Sequence, residues 1–182
     1  MTRTSYSQSG EDCVVDFLLE AIGVGQPTYL DIGAHDPFYL SNTALFYQKG
    51  FSGINVEPDP VLYEKIRKER TRDACLNCGV GSENRGDADF YVMSIPTLNT
   101  FSEKEARRLE SSGAAKILDV LKIEVVGICE ILAHLVPNFV SLDVEGMDLQ
   151  ILQGIDFKQF RPDVFCVETL TFTIDKNERK LD

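Results

Sequence analysis

Tyr29-Leu-Asp-Ile-Gly-Ala-His-Asp-Pro37 decides how this chain folds. It reads as a short buried strand that stops abruptly in an acidic, glycine-containing loop. A second apolar run, Gly53-Ile-Asn-Val-Glu-Pro58, ends in another carboxylate, Glu57. A strand, a tight loop and an acid at the tip of the next strand suggest a site for an adenosine-containing ligand. The loop glycine lets the backbone approach the ligand, and the later acid accepts hydrogen bonds from ribose hydroxyls.

Outward from this pair, strands and helices alternate. Ahead of it, residues 10–22 carry Val14, Val15, Phe17, Leu18, Leu19 and Ile22 at helical spacing, and Gly23 and Gly25 end the run. Between the two strands, 41–49 reads as a short helix closed by Gly50. Asp59-Pro60 then starts a helix to about residue 72, with Asp59 as cap and Pro60 at the first helical position. The spacing predicts a third strand over 74–80, a polar turn over 81–86 and an extended piece over 88–93.

Ser102-x-x-Glu105 is a capping box for a short charged helix. Strand 116–126, helix 127–135, strand 139–144, helix 148–152 and strand 163–168 complete the series. Nearly continuous apolar strands between helices predict an α/β fold, a parallel sheet with helices on both faces. No repeat or linker divides the chain, so residues 1–182 are expected to form one domain.

Bulk composition narrows the function classes. Hydrophobic residues make up 43% of 182 residues, enough for an ordinary core. No apolar run reaches the ~18 residues of a membrane span, and the polar N-terminus lacks a signal-peptide pattern. The expected compartment is the cytoplasm. A net charge of −11 repels phosphate backbones and anionic lipid, so neither nucleic acid nor membrane is an expected partner. The five cysteines are odd in number and scattered, which predicts reduced thiols. Cys75-x-x-Cys78 has no second pair and sits in an apolar run, so both read as core or strand residues.

The strand tips carry the chemistry. Asp31 closes the first strand, with His35 and Asp36 just beyond, and Glu57 closes the second. Asn77 belongs to the third, Asp143 and Glu145 follow the fourth, and Glu168 follows the fifth. In an open parallel sheet the carboxyl ends of the strands line one crevice, so these distant residues converge. Taken singly, Asp36, Asp59 and Asp148 are as readily helix caps as site residues. Asp143, Glu145 and Glu168 could hold magnesium, but no histidine joins them and no metal is expected.

Gly33-Ala34-His35 is not the three-glycine dinucleotide pattern, and no Walker pattern exists. A pyrophosphate-bearing cofactor would lack its usual anchor at a helix N-terminus. A nucleoside without phosphates fits better, S-adenosylmethionine being the common example. Its sulfonium charge suits a crevice with Asp31, Asp36, Glu57 and Asp143.

The ordered series of motifs resembles the FkbM-type methyltransferase family. The matching pieces are Ser7-Gln8 with Gly10-Glu11-Asp12, Asp31-Ile-Gly-Ala-His-Asp36, Ser41-Asn42-Thr43, Gly50-Phe-Ser-Gly-Ile-Asn-Val-Glu-Pro58 and Asn77. Thr100-Phe101-Ser102, Leu142-Asp-Val-Glu-Gly146, Gly154 and Arg161-Pro162 continue it. The resemblance implies a Rossmann-like sandwich and methyl transfer from S-adenosylmethionine, usually to the oxygen of a small molecule or sugar. By motif position, Asp31, Gly33 and Ala34 would border the methionine part of the cofactor, and Asn42 would support the loop or the carboxylate. Glu57 would bind the ribose, with Pro58 and Asp59 near the adenosine and Asn77 and Gly79 on its far side. Asp143 would lie near the methyl or amino group.

Two departures from the family stand out. Pro37 replaces a frequent glycine and stiffens the loop. The chain also stops at Asp182, after the fifth strand, where the fold normally adds a two-stranded antiparallel hairpin. Thr173 to Asp182 reads as the start of the helix leading to that hairpin. The expectation is a C-terminally truncated domain whose exposed sheet edge would need covering, for instance by a second copy.

Methyl transfer is an in-line displacement, in which alignment contributes roughly 7–11 kcal/mol in favourable cases. A base near the acceptor hydroxyl helps further. His35 is the first candidate because its ordinary pKa lies near neutrality, followed by Asp143 and Glu145. Two alternatives remain at this point: an S-adenosylmethionine-binding module without turnover, and a nucleotide-sugar or NAD-dependent enzyme.

Overall fold

The computed structural model describes residues 4–83, 86–144, 146–172 and 177–179. The first half of the chain runs α1 (Glu11–Ala21), β1 (Tyr29–Ile32), α2 (Ala44–Gln48), β2 (Gly53–Val56), α3 (Pro60–Glu69), β3 (Ala74–Leu76), β4 (Gly79–Gly81) and β5 (Gly86–Met93). The second half runs α4 (Glu103–Ser111), β6 (Ile117–Gly127), α5 (Ile128–His134), β7 (Phe139–Leu142), α6 (Asp148–Gly154), β8 (Val164–Val167), β9 (Leu170–Phe172) and β10 (Asn177–Arg179). No helix among the described residues is long and apolar enough to cross a membrane.

Five strands form a parallel sheet in the order β3-β2-β1-β7-β8. The fold is therefore the expected α/β sandwich of Rossmann-like type. In the register, Tyr29 stands opposite both Gly53 and Phe139. The chain moves outward from β1 to β3 and later returns to lay β7 on the other side of β1. That reversal opens a crevice beyond the carboxyl ends of β1 and β7, where ligands of such sheets bind.

Alternation along β1 divides the core. Leu30 and Ile32 face a cluster with Val140, Leu142, Ile128 and Ile151. Tyr29 faces the opposite cluster, with Phe139, Phe46, Val15 and Leu19. β1 and β7 are buried along their whole length, which is why they are apolar almost without interruption.

The expected caps are present. Asp59 Oδ1 accepts from the Val61 and Leu62 amides at 2.8 and 3.3 Å, with Pro60 at the first helical position. Ser102 Oγ accepts from the Glu105 amide at 3.2 Å.

Two expectations are corrected. The run 74–80 is not one strand. Asn77 Nδ2 donates to the carbonyls of Glu57 (2.8 Å) and Pro58 (3.0 Å), fastening the chain to the tip of β2. From there it turns out of the first sheet, and β4 joins a second sheet of order β4-β6-β5. The extended piece at 88–93 pairs antiparallel with β6 in this same sheet. The C-terminal segment is also not the start of a helix at 177–179. There β10 pairs antiparallel with β9 as a separate two-stranded ribbon, in keeping with the aromatic and β-branched content of Leu170-Thr-Phe. The rest of that expectation, at 173–176 and 180–182, lies outside the described residues. Among the described residues β8 pairs only with β7 and forms an edge of the five-stranded sheet.

Candidate functional site

The crevice at the β1–β7 reversal holds a cavity of about 260 Å³. Its floor comes from the strand tips, through Gly33, Glu57, Asp143 and Glu168. Its cover comes from the second sheet and the segment that crosses over it at 96–101.

The loop after β1 is shaped by hydrogen bonds to β2. The amides of Gly33 and Ala34 donate to the Val56 carbonyl at 3.0 and 3.2 Å. Gly33 has φ +82°, and a Cβ there would meet the Asp143 carbonyl oxygen at 2.0 Å. Only glycine fits this contact between the two central strands. His35 also lies in the left-handed region, at φ 54°. Its amide thereby donates to Glu57 Oε2 at 2.8 Å. Asp36 closes the turn, its Oδ1 accepting from the amides of Phe38 (3.0 Å) and Tyr39 (2.9 Å) and its Oδ2 from Lys65. Asp36 is thus a structural acid, and Pro37 is buried within the turn it caps.

Glu57 is a strongly perturbed acid on the cavity wall. It is 5% exposed, yet it lines the cavity. Burial pushes its carboxyl up to about 7, against the lowering effect of amide donors from Asp59 and His35. The Asp59 amide donates to Oε1 at 2.8 Å. Each oxygen therefore accepts one backbone donor and keeps capacity for a second. A ligand that donates to this group would favour its charged form.

The cover is tied to the same region. Asn99 Nδ2 donates to Asp59 Oδ2 at 3.0 Å, while its Oδ1 accepts from the Met93 amide at 2.8 Å. The Phe101 ring packs on Phe90 with centroids 4.8 Å apart and lies directly over Gly79. A Cβ at Gly79 would come within 2.5 Å of that ring. Phe90, Asn99 and Phe101 are cavity residues that sequence reasoning did not single out as site residues, although Phe101 stands in the Thr-Phe-Ser motif. Phe90 and Asn99 carry no local signal: the antiparallel pairing of β5 with β6 places Phe90, and the bridge between Tyr91 and Thr100 with the bonds to Met93 and Asp59 places Asn99.

The other sequence-based candidates divide into two groups. His35, Pro58, Gly79 and Asp143 line the cavity with Gly33 and Glu57. The Asp143 amide donates to the Ile32 carbonyl at 3.1 Å. Asp148, expected as a cap or site residue, is buried and its carboxylate accepts the amides of Val144 (3.1 Å) and Gly146 (3.3 Å), fixing the loop after β7. Glu145 lies outside the described residues.

Asp31, Ala34, Asn42 and Asn77 stand behind the wall. Asp31 shares the Tyr29 face of β1, so its carboxylate enters a buried network rather than the crevice. The Thr43 hydroxyl donates to it at 2.5 Å, and Arg70 donates to Thr43 Oγ1 at 2.9 Å. Arg70 also donates to Asp73 (2.8 Å) and to the Tyr29 hydroxyl (2.9 Å). Burial raises the Asp31 pKa, and the Arg70 charge opposes the rise. Asn42 Nδ2 donates to Ser141 Oγ at 3.2 Å, bracing the loop against β7.

His35 is half-buried. Desolvation draws its pKa below the ordinary 6.5, with the Asp36 carboxylate opposing, so the imidazole is neutral at pH 7. Cys75 and Cys78 are free thiols. Cys78 is buried at the cavity wall, where desolvation pushes its thiol up to about 11 and keeps it protonated.

A family model described as Methyltransferase FkbM domain matches residues 31–180 of the chain. No curated protein and no solved structure matches it significantly.

Proposed function

The chain belongs to the FkbM methyltransferase family, and from that premise we propose an S-adenosylmethionine-dependent enzyme that methylates a hydroxyl oxygen of a small molecule or sugar. The observation that carries this reading is Glu57. A nearly buried carboxylate at the tip of β2 lines the same cavity as Gly33 and Asp143.

The donor set fits this cofactor better than a phosphate-bearing one. After Gly33 the chain runs through a long turn before α2 begins at Ala44, so no helix N-terminus stands at the loop to receive a pyrophosphate. Three acids and no lysine or arginine line the cavity among the described residues, which suits a ligand carrying a sulfonium and an ammonium. Glu57 would accept from the ribose hydroxyls. Pro58, Gly79 and Phe101 would flank the base, and Asp143 would receive the amino group. Asp31, Ala34, Asn42 and Asn77 would hold this wall from behind.

When bound, the cofactor supplies an electrophilic methyl group on sulfur. An acceptor oxygen would take that methyl with the bonding electron pair left on sulfur, and neutral His35 would receive the hydroxyl proton. Asp143 and Glu145 are the alternative proton acceptors. The products would be a methyl ether and S-adenosylhomocysteine. We read 1–182 as one cytoplasmic domain, with the β8 edge as the place for a second copy.

Calorimetric titration with S-adenosylmethionine tests the reading. Saturable binding that competes with S-adenosylhomocysteine but not with NAD is expected. Absence of heat and of thermal stabilisation at millimolar cofactor would overturn it.

A further inference from the structure

The segment 94–99 covers the cavity with both of its feet on the second sheet. At one foot the Ser94 amide donates to the Lys116 carbonyl at 2.8 Å, and the Lys116 amide donates to Ser94 Oγ at 2.9 Å. At the other, Tyr91 and Thr100 exchange backbone hydrogen bonds of 2.9 and 3.2 Å, and Phe101 packs on Gly79 and Phe90. Between the feet the backbone bonds are local. Pro96–Leu98 form a 3₁₀ turn that proline starts, with the Leu98 amide on the Ile95 carbonyl and the Asn99 amide on the Pro96 carbonyl. The outer side, at 94–97, is exposed, while Pro96 to Asn99 line the cavity. A short turn of this kind, bonded within itself, can swing as a unit about its feet.

Asn99 ties this segment to the opposite wall. Its Oδ1 accepts from the Met93 amide at 2.8 Å, which closes the neck of the loop. Its Nδ2 donates to Asp59 Oδ2 at 3.0 Å, across the cavity from the second sheet. Asp59 has separate work for its other atoms. Oδ1 caps α3, and the amide donates to Glu57 Oε1 at 2.8 Å. The Asn99–Asp59 bond can therefore break while the neck, the helix cap and the Glu57 contact all remain.

We propose that 94–99 is a lid, that the Asn99–Asp59 bond is its latch, and that its opening admits and releases the cofactor. The lid stands on the geometry of the cavity; the cofactor's passage rests on the S-adenosylmethionine reading above. A ligand seated beneath this cover needs the cover to move. A half-buried hydrogen bond to a carboxylate holds the closed state firmly and still yields to thermal opening.

The full chain carries its own reporter. Cys78 is a buried free thiol on the cavity wall. Its labelling by N-ethylmaleimide, mapped by tandem mass spectrometry, reads how often the cavity opens, with Cys13 on α1 as the internal control. Asn99→Asp keeps an acceptor for the Met93 amide but sets a carboxylate against Asp59. Cys78 labelling should rise about tenfold or more, the scale of a hydrogen bond to a charged group, with Cys13 unchanged. The double variant Asp59→Asn, Asn99→Asp exchanges donor and acceptor while the cap and the neck keep theirs. Its labelling should return to within about threefold of the parent. Excess S-adenosylhomocysteine should protect Cys78 in the parent. By surface plasmon resonance, its association and dissociation should both be about tenfold faster in Asn99→Asp, with affinity nearly unchanged, because the latch is lost from the free and bound states alike.

Cys78 labelling unchanged in Asn99→Asp would overturn the lid, as would a double variant as fast as the single one. Faster dissociation alone, with affinity falling to match, would make Asn99 a binding contact and would also overturn it. Labelling that follows the latch while S-adenosylhomocysteine neither binds nor protects would uphold the lid and sink the cofactor reading.

Discussion

The backbone of Gly33 rests so closely on Asp143 that a Cβ there would stand 2.0 Å from the Asp143 carbonyl oxygen. This contact joins the loop after β1 to the tip of β7 across the line where the sheet reverses direction. It sets the width of the crevice from which the site is built.

Gly33→Ala should therefore do double damage. The new methyl overlaps backbone that cannot swing away, and the residue must hold φ +82°. Together these should cost about 1–3 kcal/mol or more in stability, read from urea denaturation, and remove S-adenosylmethionine binding. Parent-like cofactor affinity in this variant would show that the contact does not shape the site.

Glu57 makes both stability and binding depend on pH. Its carboxyl is raised from the ordinary 4.5 to about 7, so across that interval the folded chain binds more protons at this group than the unfolded chain does. The contribution of Glu57 to stability is therefore greatest below pH 4.5 and is lost as pH rises through about 7. Cofactor hydroxyls favour the ionised form, so affinity should increase over the upper part of the same interval. Glu57→Gln should flatten the binding profile and weaken S-adenosylmethionine by roughly tenfold at pH 8, the scale of a hydrogen bond to a charged group. Isothermal titrations at pH 5.5, 7 and 8 decide it; a pH profile retained in Glu57→Gln would assign the dependence to another group.

Arg70 is 0% exposed and is the cation nearest the buried carboxylates of Asp31 and Asp73 through the network described above. Removing it strands two buried acids. Arg70→Met should destabilise the fold by ~3–5 kcal/mol, measured by chemical denaturation. The loss should shrink in the double variant with Asp73→Asn, because the charge left behind is smaller. A fully additive double variant would mean that Arg70 acts through packing alone.

His35 should be tested with a residue that tolerates its backbone. Asparagine is more at ease in the left-handed region than most residues and keeps the amide that donates to Glu57. His35→Asn should lower kcat about 10²–10⁴-fold with cofactor affinity nearly unchanged. In the parent chain kcat should fall on acidification with a midpoint below the ordinary 6.5, since desolvation lowers this pKa. Turnover that survives the substitution would transfer the base role to Asp143 or Glu145.

Much of the fold was legible because it is written in local chemistry. Buried parallel strands must be apolar, helix starts need caps, and both signals sit within a few residues of the element they define. Asp59 caps its helix as read, and Ser102 accepts from the Glu105 amide as a cap while its own amide donates to Thr100 Oγ1. The run 74–80 misled because its strand-forming residues continue past Asn77, whose side chain is captured by carbonyls about twenty positions earlier. The terminal segment misled because a helix was expected where cross-strand pairing occurs instead.

The sequence alone determined the α/β sheet, the family, and the tip residues Gly33, His35, Glu57, Pro58, Gly79 and Asp143 that meet in one cavity. Tertiary structure alone decided that Asp31 turns away into the Arg70 network, because strand alternation sets it on the Tyr29 face. It also decided that Phe90, Asn99 and Phe101 roof the site and that Gln8 joins its lining. A strand tip is positioned by hydrogen bonds to its neighbours and leaves a local pattern. A roof is positioned by contacts between segments far apart in the chain, and no window of sequence contains both partners.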